Sequence, residues 1–175
     1  MHTASLSKRT IMLHWATGIL FLVTFAIGWY LGDMERGPDK NQLRDLHKSL
    51  GVLVMIVASL RLAWRIKEGA VPAIPGMAEW QRKSATAVHH LLLLATIAMP
   101  LSGVLMSIGG GRSIKLFGFV LYDGGEKVQW LQDITAPIHH ATVNVLLMII
   151  ALHIIAALKH QFVDKDGTLS RMLGK

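Results

Sequence analysis

The sequence predicts an all-α membrane protein, a four-transmembrane-helix bundle with both termini cytoplasmic, and three observations lead there. First, the 175 residues are 52% hydrophobic and only 17% charged, with a mean hydropathy of +0.44, which places the chain in the membrane class. Second, four apolar stretches alternate with turn-rich connectors, and each is long enough, at about 1.5 Å per residue, to cross a core of roughly 30 Å. Third, the charges segregate. With four spans, one side collects Lys8, Arg9, Arg61, Arg65, Lys67, Arg82, Lys83, Lys159, Lys165, Arg171 and Lys175 against four acids, and the other holds seven of each sign. The net +7 therefore lies on the side with the termini, which the positive-inside rule makes cytoplasmic.

The first helix is expected over residues 9–31, free of formal charge from Ile11 to Leu31, with His14 and Trp15 early in it. It is longer than a signal-peptide core and no A-x-A-like site follows, so it reads as a retained span. A Gly, Pro and Asp-rich loop, Gly32 to Asn41, ends the crossing. The second helix, 42–66, is charge-free only from Ser49 to Leu60; Arg44, Asp45, His47 and Lys48 fill its first turns, and Arg61 and Arg65 mark its far end. Long basic side chains at both ends can snorkel to the interfaces. Val71 to Gly76, with Pro72 and Pro75, is a stiff connector. The third helix, 79–108, carries His89 and His90, with Pro100 as an expected kink. Arg112 to Asp133 mixes Phe117, Phe119 and Tyr122 with charges and is expected to hold a short interfacial helix. The fourth helix is expected over 134–162 with Pro137 in its first turn. No internal repeat or composition shift divides the chain, so residues 1–175 read as a single four-helix membrane domain.

Cysteine is absent, which excludes disulfides, thiolate metal sites and covalent haem attachment through Cys-x-x-Cys-His. The pI near 10.0 follows from membrane topology, so no nucleic-acid partner is implied.

The histidines carry the chemistry. His139 and His153 lie fourteen residues apart in the last span, so they return to within about 40° of one face and stand roughly 21 Å apart in depth. Topology sets His14 level with His153 toward the cytoplasm, and His47 level with His139 toward the outside. Intramembrane histidines are functional candidates by default, and two level pairs are harder to explain as isolated core residues. Zinc wants three or four protein ligands, and no intramembrane carboxylate is near. Haem iron needs only two axial ligands, so each pair suffices for one haem. Gly18, Gly51 and Ala157, each four residues after a histidine, offer weak support for a flat macrocycle packed on bare helix. His140 is rotated about 140° from His153 and reads as interfacial. His160 lies seven residues past His153 on the same face, placed to meet a haem propionate, a quinone or the interface. His89 has a depth similar to His14 and His153 and could replace one of them as ligand, though a supporting or quinone-adjacent role is expected. His90 reads as structural, and His2 as part of a disordered terminus.

His14-Trp15, His47, the fourteen-residue interval of His139 and His153, and the tail Lys165-Asp166-Gly167-Thr168-Leu169-Ser170-Arg171-Met172 together resemble the bacterial cytochrome b561 family of four-helix, two-haem membrane proteins, over almost the whole chain. The resemblance implies haem ligation by His14, His47, His139 and His153, and a cytoplasmic-side quinone region at His89 and His160. It implies two haem b groups and a membrane quinone, ubiquinone or menaquinone, in the inner membrane. The external partner would be superoxide, oxidised as quinone is reduced, or a periplasmic redox protein. Relatives often have Trp-His-Glu where this chain has Ile138-His139-His140, and paired histidines where it has His160-Gln161. Two further classes remain: an electron-carrier subunit for a dehydrogenase or hydrogenase, and a histidine-bearing metal transporter, against which the lack of intramembrane carboxylates and of repeat architecture counts. Arg36, Lys40, Arg44, Lys48, Arg112, Lys115 and Lys127 could steer an anion only through local clustering such as Arg44 with Lys48; propionate or lipid-headgroup binding is the favoured reading.

Overall fold

A computed structural model describes residues 5–72, 74 and 76–175; His2 lies outside them. Four long helices run up and down: α1 (Lys8–Asp33), α2 (Pro38–Glu68), α3 (Glu79–Gly109) and α4 (Gln129–Lys159). All four are long and apolar enough to cross a membrane. Between α3 and α4 lies a hairpin of β1 (Ile114–Leu116) and β2 (Phe119–Tyr122), and after α4 a π-turn over His160–Asp164 leads to a short α5 (Thr168–Met172). The described N- and C-terminal residues sit at one end of the bundle, called here the terminal end; the other is the hairpin end.

Local chemistry explains the boundaries. Ser7 accepts from the Thr10 amide and caps α1. Helix α2 begins at Pro38, earlier than the expected residue 42, because Pro fits the first helical position and Asp39 suits the positive end of the helix dipole. Helix α4 begins at Gln129 rather than 134, so Pro137 stands in its interior and not in its first turn. The early start is anchored on α3: the Val128 amide donates to the Gly109 carbonyl at 2.9 Å, and a Cβ on Gly109 would come within 2.7 Å of the Gln132 backbone. The expected interfacial helix over 112–133 is instead the hairpin, because Phe117 (φ +48°) and Gly118 (φ +97°) reverse the chain in two residues.

The bundle is apolar outside as well as inside, as lipid requires. Phe21, Val54 and Leu146 form the central cluster, with Leu20, Phe25, Ala95, Met99 and Ile150 around it. Three buried hydroxyls are satisfied within their own helices: Thr17 donates to Leu13 O at 2.6 Å, Thr24 to Leu20 O at 2.7 Å and Thr135 to Leu131 O at 2.7 Å. Such small polar residues let helices approach closely in a membrane. Close backbone packing links α1 to α2, α2 to α3 and α3 to α4. At the terminal end the Trp15 indole donates to Met172 O at 2.7 Å and Arg171 to Pro72 O at 3.1 Å, folding α5 back onto the bundle.

Candidate functional site

Helix α4 has its main backbone contact with α3, yet its two histidines meet partners on α1 and α2. The ring centroids of His14 and His153 are 6.3 Å apart, and those of His47 and His139 are 6.4 Å apart. Two imidazoles sharing one metal, at about 2 Å per bond and about 1 Å more from nitrogen to ring centre on each side, would stand about 6 Å apart. The side chains thus converge across a gap that the backbones leave open.

At the hairpin end the ring orientations are set by hydrogen bonds. His47 Nδ1 lies 3.0 Å from the Thr24 carbonyl, which can only accept, so Nδ1 carries the proton. Ser102 Oγ gives its single proton to Met99 O and therefore accepts from His139 Nδ1 at 2.9 Å. Both Nε2 atoms are left with lone pairs, the arrangement that metal-ligating histidines use. Glycines make room for the rings: a Cβ on Gly28 would lie 2.7 Å from His47 Cε1, and one on Gly103 would lie 3.0 Å from His139 Cε1. A Gly28→Ala change is therefore expected to displace the His47 ring and perturb the visible and EPR spectra of a cofactor bound there, while leaving signals from the other pair unchanged.

A cavity of about 790 Å³ opens beside this pair, within the usual size of cofactor pockets. Arg36, Lys40, Arg44, Lys48 and Arg112 line it together with His47 and His139, and its lining contains no Asp or Glu. Five basic residues of this end thus share one cavity, with Asp45 3.8 Å from Lys48 at its edge. Gln132 also lines the cavity, and its Oε1 is buried with no hydrogen-bond partner among the described residues. His140 is exposed on α4 but still borders the cavity, 5.9 Å from His139 between ring centres.

The terminal-end pair has a different setting. Arg61 Nη2 lies 3.2 Å from His14 Nδ1; a guanidinium only donates, so this nitrogen accepts. His89, on α3, sits 5.4 Å from His153 between centroids, edge to face. That is shorter than the 6.3 Å of His14 and His153, and shorter than two ligands on opposite sides of one metal would stand. His90 is exposed and bonded through Nδ1 to Thr86 O. His160 faces the tail: its Nδ1 lies 2.6 Å from Asp166 Oδ2 and 3.1 Å from Asp164 Oδ2. Burial opposes ionisation of Asp166, but hydrogen bonds from the Thr168 hydroxyl and amide and from His160 hold its carboxyl below the usual range. Lys159 bonds Asp164 at 2.6 Å, so this cluster of two acids already has its cation.

The sequence profile described as "Prokaryotic cytochrome b561" matches residues 5–175. The chain belongs to the prokaryotic cytochrome b561 family. Similar proteins include "Cytochrome b561 homolog 2" of Escherichia coli K12, 32% identical over 93% of this chain and 87% of that one. "Cytochrome b561 homolog 1" of the same organism is 29% identical over 95% and 96%. A protein of Yersinia pestis named "Probable superoxide oxidase CybB" is 26% identical over 93% of this chain and 92% of its own. This cytochrome b561 family member is thus a multi-pass membrane b-type cytochrome of electron transfer, and the family implies b-type haem.

Sequence reasoning missed Gly28, Gly103 and Arg61 at these sites, and one signal could have found them. The fourteen-residue interval of His139 and His153 recurs on every helix of this cytochrome, as His14 and Gly28, His47 and Arg61, and His89 and Gly103. Each helix presents one face to two levels. Of the small residues expected to lie against a macrocycle, Gly51 lines the cavity and Gly18 has nothing within 4 Å of a Cβ position.

Proposed function

We propose that this protein carries two haem b groups, one between His47 and His139 and one between His14 and His153, in a single four-helix domain spanning the bacterial inner membrane. The observation that carries the reading is the pair of centroid separations, 6.3 and 6.4 Å, at two levels along α4. The Nε2 lone pairs and the ring-sized clearances at Gly28 and Gly103 support it at the hairpin end. Positive charge concentrated at the terminal end supports a cytoplasmic location for both termini.

Haem iron held by His47 with His139, and by His14 with His153, would supply reversible one-electron chemistry. The protein's own residues do the rest. Thr24 and Ser102 fix the rings of His47 and His139, while Arg36, Lys40, Arg44, Lys48 and Arg112 attract anions, porphyrin carboxylates among them, to the hairpin-end cavity. We assign the function as electron movement between a membrane quinone, ubiquinone or menaquinone, and a partner on the hairpin side. His89 and His160 lie on the quinone side of this scheme. The acid-free basic lining favours a small anion as that partner. Superoxide fits: two superoxide ions each give up one electron, and the quinone takes both with two protons.

A dithionite-reduced spectrum and haem count test the first part; one haem per chain, or none, overturns it. Supplying superoxide to the purified protein with a quinone tests the second. Reduction of the haems followed by quinol formation is the expected result, with a rate that falls as salt rises. Haems that stay oxidised leave a carrier subunit for a dehydrogenase or hydrogenase as the function.

A further inference from the structure

The hairpin plays no part in holding the histidines, and its composition is unusual for a loop. Its two-residue turn needs positive φ at both positions, where Asn-Gly or Asp-Gly normally stands. Here the first position is Phe117, a bulky residue in a conformation that disfavours it. The run Phe117-Gly118-Phe119-Val120-Leu121 has no charge, and its large side chains are exposed, at 55% for Phe117, 78% for Phe119, 54% for Val120 and 56% for Leu121.

Hydrogen bonds fix the level of this tip. Ser49 Oγ donates to Lys115 O at 3.0 Å and accepts from the Phe117 amide at 3.1 Å, while Lys48 Nζ donates to Ser113 O at 3.0 Å. Ser49 is where α2 changes from a charged segment to the charge-free run ending at Leu60. The tip is therefore pinned at the rim of the apolar belt. Trp29 and Tyr30 at the end of α1, and Trp130 at the start of α4, are exposed at the same end of the bundle, and aromatic side chains gather where bilayer meets water.

We propose that residues 117–121 form an interfacial anchor bedded in the headgroup and acyl boundary of the bilayer at the hairpin end. The lipid-facing helix surfaces continue into the tip at that level. A water-soluble partner approaching along the bundle axis would meet the charged first turns of α2 before reaching it. Ile114, buried in the same hairpin, lines the cavity beside His47, so the anchor also steadies one cavity wall.

The absence of cysteine from the 175 residues permits a direct test in the intact chain. Phe119→Cys, labelled with a nitroxide and reconstituted in phosphatidylcholine and phosphatidylglycerol vesicles, is compared by power-saturation EPR with Leu152→Cys on the exposed apolar face of α4 and Glu126→Cys in the polar loop. Oxygen should reach the label at 119 several-fold better, relative to a water-soluble nickel chelate, than it reaches the label at 126, approaching the ratio at 152. A ratio equal to that at 126 overturns the proposal. Protection from both reagents also overturns it, because it marks a protein surface, a second copy or another partner, on the tip. If Phe119→Cys does not fold, Leu121→Cys gives the same readings.

Discussion

Replacing His47 or His139 by alanine is expected to remove one of the two proposed haems, the same one in both cases, and to halve the haem content of the purified protein. Replacing His14 or His153 should remove the other. The expectation rests on pairing across helices: each proposed haem would lose one of its two protein ligands when either partner goes. His140 is the nearest candidate substitute at the hairpin end, with its ring 5.9 Å from that of His139, but it is exposed on the adjoining face of α4. The double variants decide the matter. His47→Ala with His139→Ala should retain one haem with the spectrum of the terminal-end centre, whereas His47→Ala with His153→Ala should retain none. If the first double variant loses both haems, the pairs are not independent sites.

His89 is the control for the other end. Its 5.4 Å edge-to-face contact with His153 orients that ring without standing opposite it. His89→Ala should leave two haems in place. Loss of a haem in that variant, with His14→Ala keeping both, would transfer the ligand role from α1 to α3.

The four spans and the two histidine levels were legible because each rests on a strong single-sequence signal, uninterrupted apolar runs in one case and helical phase in the other. The hairpin was not, since its turn is Phe117-Gly118 and not a standard turn dipeptide, and the aromatic residues around it read equally well as an amphipathic helix. The start of α4 was hidden for another reason. Gln129 to Asp133 mixes Trp130 and Leu131 with three polar residues, and its anchor is a tertiary one, Gly109 of α3 packed against the Gln132 backbone. Gly28 and Gly103 were invisible as site residues because glycine is common wherever membrane helices touch; their meaning appears once the imidazoles are in place beside them. The cationic cavity was likewise hidden in a balanced charge count, because a sum over one side of the membrane discards which residues share a wall.

Arg61→Gln is expected to lower the midpoint potential of the terminal-end haem and barely change the other. Arg61 stands fourteen residues from His47 on α2 and meets His14 Nδ1 at 3.2 Å, so its charge lies within about 7 Å of a metal held by the far nitrogen of that ring, where an effective dielectric of ~20 gives about 2 kcal/mol. For a one-electron couple this corresponds to roughly 100 mV. It is an upper bound, since ionised carboxylates of the porphyrin would screen the guanidinium. The sign follows from charge while His14 stays neutral: a nearby cation disfavours the more positive ferric state, so removing it lowers the potential. The hydrogen bond adds a constraint of its own. A neutral imidazole that accepts at Nδ1 carries its proton on Nε2, the reverse of His47 and His139, so ligation through Nε2 requires Arg61 to release His14 or His14 to become imidazolate. Arg61→Lys separates these cases. If charge alone sets the potential, lysine should restore most of it; if the planar guanidinium is needed to direct His14, lysine should leave the potential low and change the EPR g-values of that centre. The hairpin-end haem, roughly 21 Å away along the helices, is the internal reference, and an equal shift at both centres would mean that the substitution acts through the fold and not through charge.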